Sequence, residues 1–88
     1  MRVQYDPSKA AANLRKHMVS FGDVEGVLSD PLAITVADPD SCDEQRWVTI
    51  GLGSAGELLV VVWAERGDAV RVISARRPTK KERKQYES

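Results

Sequence analysis

The spacing of apolar residues changes along this chain, and the changes divide it into elements. Val3 and Tyr5 alternate with polar residues over a short opening strand. Asp6-Pro7 then supplies an N-cap followed by proline at the first helical position, which predicts a helix from about Pro7 to His17. On a helical wheel Ala10, Ala11, Leu14 and Met18 cluster on one face, and Lys9, Asn13, Lys16 and His17 form a polar stripe beside it. Ser20 caps a second predicted helix in which Phe21, Val24, Val27 and Leu28 recur near helical spacing, and Asp30-Pro31 stops it.

From Leu32 the period shortens to that of a strand, carried by Leu32, Ile34 and Val36. An acidic loop follows from Ala37 to Glu44, and then Arg46, Val48, Ile50 and Leu52 alternate against Trp47, Thr49 and Gly51. Gly53-Ser54-Ala55-Gly56 reads as a hairpin connection, and Leu58 to Trp63 is apolar on both faces, as a central strand should be. Glu65-Arg66-Gly67-Asp68 turns the chain into a last strand, Val70 to Arg76, which leads through Pro78 and Thr79 into a final helix. The predicted order is β-α-α-β-β-β-β-α. That is an α+β fold, in which an antiparallel sheet ends in a meander, two N-terminal helices pack on it, and a short basic helix closes the chain.

Composition narrows this further. A chain of 88 residues is read as one domain, 1–88, with an economical core. Hydrophobic residues at 42% and charged residues at 30% fit a globular protein and exclude a wholly disordered one. No apolar run approaches the ~20 residues that span a bilayer, and the N-terminus lacks the apolar core of a signal peptide, so no membrane association and a cytoplasmic location are expected. Cys42 is the only cysteine, which rules out an internal disulfide and a cysteine-based zinc site. No cofactor or metal is expected.

Charge is unevenly spread. The chain is formally neutral, yet Arg76 to Lys84 holds six lysines and arginines against one acid, Glu82. Such a local excess points to an anionic partner, although a charge run also serves as a solvated helix face. The final helix has almost no apolar face and is too short to be stable alone in water, so it is expected to be the least stable element, firmly ordered only with a bound partner.

The ordered set Tyr5-Asp6-Pro7-x-Lys9-Ala10-x-x-Asn13-x-x-Lys16-His17-x-x-Ser20-Phe21, then Arg46 with Ile50-Gly51, then Arg71-x-Ile73-Ser74-Ala75-Arg76 with Glu82, Arg83 and Tyr86 resembles the BrnT family of toxins. The resemblance covers nearly the whole chain. It implies a RelE-like ribonuclease fold, RNA cleavage that arrests translation, and neutralisation by a BrnA-type antitoxin. That antitoxin is a ribbon-helix-helix protein that binds the shared promoter, so DNA is met only through it. The RNA substrate is either free or ribosome-bound. Two positions depart from the family pattern: Tyr5 replaces the usual tryptophan, and Met18 stands where glycine is usual, which bears on how the first helix ends and where His17 points.

Metal-independent RNA cleavage requires a proton taken from the 2′-OH, a proton given to the leaving 5′ oxygen, and positive charge on the phosphorane-like transition state. His17 is of the residue type suited to either proton transfer, and its bland alternative is to stabilise the C-terminal dipole of its helix. Arg76, at the exit of the last strand, has a fork that can hold two phosphate oxygens; the alternative is a salt bridge, with Glu57 as one partner. Tyr86 either stacks on a base or donates its phenolic proton, or else anchors its helix to the core. Glu82 is either a general base or, with Thr79, half of a capping box. Lys9, Asn13, Arg46, Arg77, Lys80 and Arg83 are candidate RNA contacts, with solvated faces as the alternative. An up-down-up meander sets Arg46 and Arg76 at opposite ends of the sheet, which favours a bridge from Arg46 to the acidic loop. Two further functions fit these residues, a non-catalytic nucleic-acid-binding module and a protein-interaction domain with a basic C-terminal helix.

Overall fold

The computed structural model describes residues 2–88. Strand β1 (Arg2–Gln4) leads into helix α1 (Pro7–His17), where the Asp6 carboxylate accepts the Ser8 N–H at 2.8 Å and Pro7 opens the first turn. The helix ends at Met18, whose φ of 59° is left-handed and whose N–H returns to the Leu14 carbonyl. Glycine takes this conformation freely, so Met18 carries a strain that a glycine here would not. Ser20 caps a separate 3₁₀ turn, Phe21–Asp23, before helix α2 (Val24–Ser29), so the second predicted helix is split in two. Strands β2 (Ile34–Ala37), β3 (Trp47–Leu52), β4 (Leu58–Arg66) and β5 (Ala69–Arg76) follow, and helix α3 (Lys80–Glu87) ends the chain.

The sheet order is β1-β5-β4-β3-β2. The expected α+β architecture is present, with two additions. The meander extends through β2, and β1 pairs parallel with β5 at the far edge, so the sheet is mixed and mostly antiparallel. In the β4–β5 ladder Val61 faces Ala75 and Trp63 faces Val72, which leaves Ile73 as the extra residue of a bulge. The bulge keeps both Val72 and Ala75 on one side, where they join Leu59 and Val61 beneath Val19, Phe21, Val24 and Val27 to form the core. Helix α2 sits so close to the β3–β4 hairpin that a Cβ on Gly26 would lie 2.4 Å from the Ser54 nitrogen, so only glycine fits there.

The first helix is rotated from its expected setting. Leu14 is 48% and Met18 70% exposed, while Asn13 is buried and Ala10 packs on the core. The reason is a hydrogen-bond demand rather than apolar area. The Asn13 amide nitrogen donates to the carbonyls of Val19 at 3.0 Å and Ala75 at 2.8 Å, and its oxygen accepts the Ala75 N–H at 3.1 Å. One side chain thereby ties α1 to β5 and to the turn that follows α1. Asn13 is not available to RNA, which corrects its place among the candidate contacts.

The opposite face of the sheet carries Ile50, Leu58 and Val60, all buried, and Arg76, with α3 lying over this end. Beside α3 the same face stays partly open to solvent, and Val36, which lines a cavity together with Gln85, is 55% exposed.

Candidate functional site

The junction between β5 and α3 is built by two arginines that take different sides. Strand alternation turns Ala75 toward α1 and α2 and therefore Arg76 toward α3. There the Arg76 guanidinium grips Glu82 with both nitrogens, at 2.8 and 2.9 Å. Glu82 also accepts the Thr79 N–H at 2.8 Å while Thr79 Oγ1 accepts the Glu82 N–H at 3.2 Å, which completes the anticipated capping box. The hydrogen bond from Arg76, with those from Thr79, pulls the Glu82 carboxyl down to about 2. So weak a base is poorly matched to taking a proton from a 2′-OH at neutral pH, and the general-base role considered for Glu82 gives way to a structural one. Arg76 does form a salt bridge, but with Glu82 instead of Glu57.

Tyr86 anchors the other end of α3. Its hydroxyl donates to the Asp30 carboxylate, which also accepts the N–H groups of Leu32 and Leu52, each at 2.9 Å. The Tyr86 bond and the two backbone donors lower the Asp30 pKa, and the bond to Asp30 raises that of Tyr86. Asp30 had been legible only as a helix stop. No residue of α3 is buried, yet in the chain alone the helix is docked by these polar contacts at both ends.

Arg77 faces the α1 side. It donates to the His17 carbonyl at 3.4 Å and pairs with Glu57 at 3.4 Å. The candidate catalytic residues His17 and Arg76 are not brought together, because the sheet lies between α1 and the Arg76 side chain; the cation bonded to the His17 carbonyl is Arg77. Arg77, Arg83 and Tyr86 together line a cleft of about 500 Å³ between α3 and the β3–β4 hairpin. Among the described residues the Arg83 side chain pairs only with Glu87, one turn away at 3.8 Å. Both arginine pairs are more than half exposed, and such pairs contribute about 0–1 kcal/mol, so a phosphate can replace either carboxylate at little cost. Lys80 is exposed in the first turn of α3.

At the other end of the sheet, Arg46 closes the acidic loop as anticipated, 3.8 Å from the Asp38 carboxylate and 3.4 Å from the Asp40 carbonyl. The register confirms the separation, with Trp47 level with Trp63 and Val72, and Ile50 level with Val60 and Arg76. Among the described residues no three His, Cys, Asp or Glu side chains converge as a metal site requires.

A family model described as "Ribonuclease toxin, BrnT, of type II toxin-antitoxin system" matches residues 5–82. The chain belongs to the BrnT family. The crystal structure of the Brucella abortus ribonuclease toxin BrnT, determined at 1.1 Å, is 28% identical in sequence to this chain. It aligns with a TM-score of 0.67 over 91% of this chain and 99% of that one. A search of curated proteins returned no match. Membership makes this BrnT-family chain a ribonuclease toxin of a type II system and so implies a cognate antitoxin. The matched residues include His17, Arg76, Arg77 and Glu82 and end before Arg83 and Tyr86, the part of the cleft contributed by the later turns of α3. Among the described residues no helix is long and apolar enough to cross a membrane.

Proposed function

We propose that this BrnT-family toxin is a metal-independent endoribonuclease that arrests translation in the cytoplasm by cleaving RNA, free or on the ribosome. In this reading it is held inactive by a BrnA-type ribbon-helix-helix antitoxin. The observation that carries the reading is the cleft in which Arg77, Arg83 and Tyr86 converge, where the carboxylates paired with both cations are exposed. Arg77 and Arg83 neutralise the scissile phosphate and its transition state, and the Tyr86 ring offers a surface on which a base stacks. Of the two proton transfers, from the 2′-OH and to the leaving 5′ oxygen, His17 makes one and water the other, and Arg77, bonded to the His17 carbonyl, links that helix end to the cleft. Arg76 positions α3 through Glu82 rather than holding the phosphate.

Purified protein incubated with RNA in the presence of a chelator should leave products ending in 2′,3′-cyclic phosphate, on naked RNA or on programmed ribosomes. Intact RNA in both settings would overturn the reading. Within it, Arg77→Ala should lower cleavage at least about tenfold with folding retained, as expected for loss of one charge-stabilising group. His17→Ala should flatten the pH dependence of the residual rate. Glu82→Gln separates the two roles of Arg76: if Arg76 only positions α3, activity falls, whereas a rise would mean that the freed fork works on phosphate.

A further inference from the structure

Lys9 from the first turns of α1, Arg46 at the start of β3 and Arg71 from β5 line one cavity of about 250 Å³, at the end of the sheet away from Arg76. Arg71 belongs to the ordered set that carries the family resemblance, but spacing alone gives it no role. Two carboxylates, Asp43 and Glu44, share the cavity wall and offset part of its charge. Glu44 is paired with Arg66 at 3.0 Å, and Arg46 reaches Asp38 only at 3.8 Å. Among the described residues neither Lys9 nor Arg71 has an ion-pair partner. With Arg46 bridged to Asp38 and Glu44 to Arg66, the unpaired Lys9 and Arg71 face only Asp43 across the wall, which leaves a local excess of positive charge that favours an anion.

The helix that starts at this cavity also leads to the cleft. Helix α1 carries no acidic residue, and Lys9 and Lys16, seven residues apart, share one of its faces. Its last residue, His17, receives Arg77 at the cleft. Along β5, Arg71 and Arg76 stand level with Ala64 and Val60 of β4, four residues or roughly 13 Å apart at ~3.3 Å per residue, because the bulge takes up one position. The cavity and the cleft therefore stand at the two ends of a basic track.

The geometry points to Lys9, Arg46 and Arg71 as a second phosphodiester subsite, gripping the backbone of a single-stranded RNA several nucleotides from the cleft. This deepens the ribonuclease reading and rests on it. Contacts of this kind position a strand without reading its bases. The subsite therefore sets affinity and register, and leaves sequence preference to the cleft.

The test uses the intact toxin and a labelled 2′-O-methyl RNA strand of about 12 nucleotides, which has no 2′-OH to attack and is long enough to span both ends. Binding is measured across a salt series for the wild type, Lys9→Gln, the double variant Lys9→Gln/Arg71→Gln, and Arg2→Gln. Arg2 is an exposed cation outside the cavity, bonded to Asp68. The slope of log affinity against log salt should fall by about 0.7 for Lys9→Gln and by about 1.4 for the double variant, equally for unrelated sequences. It should not change for Arg2→Gln. Because Lys9 is exposed, the single variant keeps the test valid if the double variant folds poorly, which a thermal melt detects. An unchanged slope in both variants, or an equal fall with Arg2→Gln, overturns the subsite while leaving the ribonuclease reading intact. A wild-type protein that binds no strand overturns the subsite, while the ribonuclease reading is decided by cleavage on programmed ribosomes.

Discussion

Helices α1 and α3 are both basic, and both are laid against the sheet whose strand β5 they flank in sequence or space, yet opposite chemistry holds them. The first is fixed by the interior: one buried amide that does not titrate makes three hydrogen bonds to backbone. The second buries no residue and is fixed by an ion pair, a capping box and a tyrosine-carboxylate bond. The difference teaches where the molecule is permanent and where it can exchange partners. A buried hydrogen-bond lock opens only with unfolding, whereas α3 is held by contacts that protons, salt or a phosphate can replace.

Breaking the interior lock should have the largest effect. Asn13→Ala deletes three hydrogen bonds and leaves the buried Ala75 N–H and the Val19 and Ala75 carbonyls without their partner, so a loss of about 3 kcal/mol is expected from urea denaturation. A loss below about 0.5 kcal/mol would show that α1 is held by its packing alone.

The α3 contacts should respond to pH in a way that α1 does not. Glu82 is depressed from 4.5 to about 2, so its stabilisation is complete above the ordinary carboxyl range and is lost as pH falls toward 2. Tyr86 is raised above its ordinary 10, so its bond to Asp30 is complete below that value and is lost when the phenol ionises at higher pH. Hydrogen exchange of the α3 amides should rise in both windows before the sheet amides respond. Glu82→Gln should bring the acid behaviour to neutral pH, at a docking cost of about 1 to 2 kcal/mol once solvent screening is allowed for. Amides of α3 that stay protected at pH 2 would mean that the Arg76–Glu82 pair does not hold the helix.

The smallest effect sharpens the end of α1. Met18 holds a left-handed cap while 70% exposed, so Met18→Gly removes strain and sacrifices little packing. It should raise stability by up to about 1 kcal/mol in thermal melts, and a decrease would mean that the Met18 side chain does more than its exposure indicates.

Much of this architecture was legible from local spacing. Asp6-Pro7 marks the start of α1, Thr79 and Glu82 the capping box of α3, and the alternation from Ile34 to Arg76 the strands of the sheet. The separation of Arg46 from Arg76 followed from counting residues in a meander. These features depend on residues a few positions apart, whose relative placement is set by backbone geometry alone.

What local spacing could not supply were the long-range partners. Asn13 looks like a surface residue until Ala75, 62 positions away, presents both its N–H and its carbonyl to the side-chain amide. Arg76 looks free until α3 folds back over its face of the sheet, and Asp30 looks like a helix stop until Tyr86 reaches it from 56 positions on. The gathering of Lys9, Arg46 and Arg71 around one cavity likewise needs α1, the β3 entry and β5 in place together. Periodicity reports which side of an element is apolar. Only the assembled sheet decides which polar groups are left facing one another, because an unsatisfied buried amide or an unpaired charge costs more than a few exposed methyl groups.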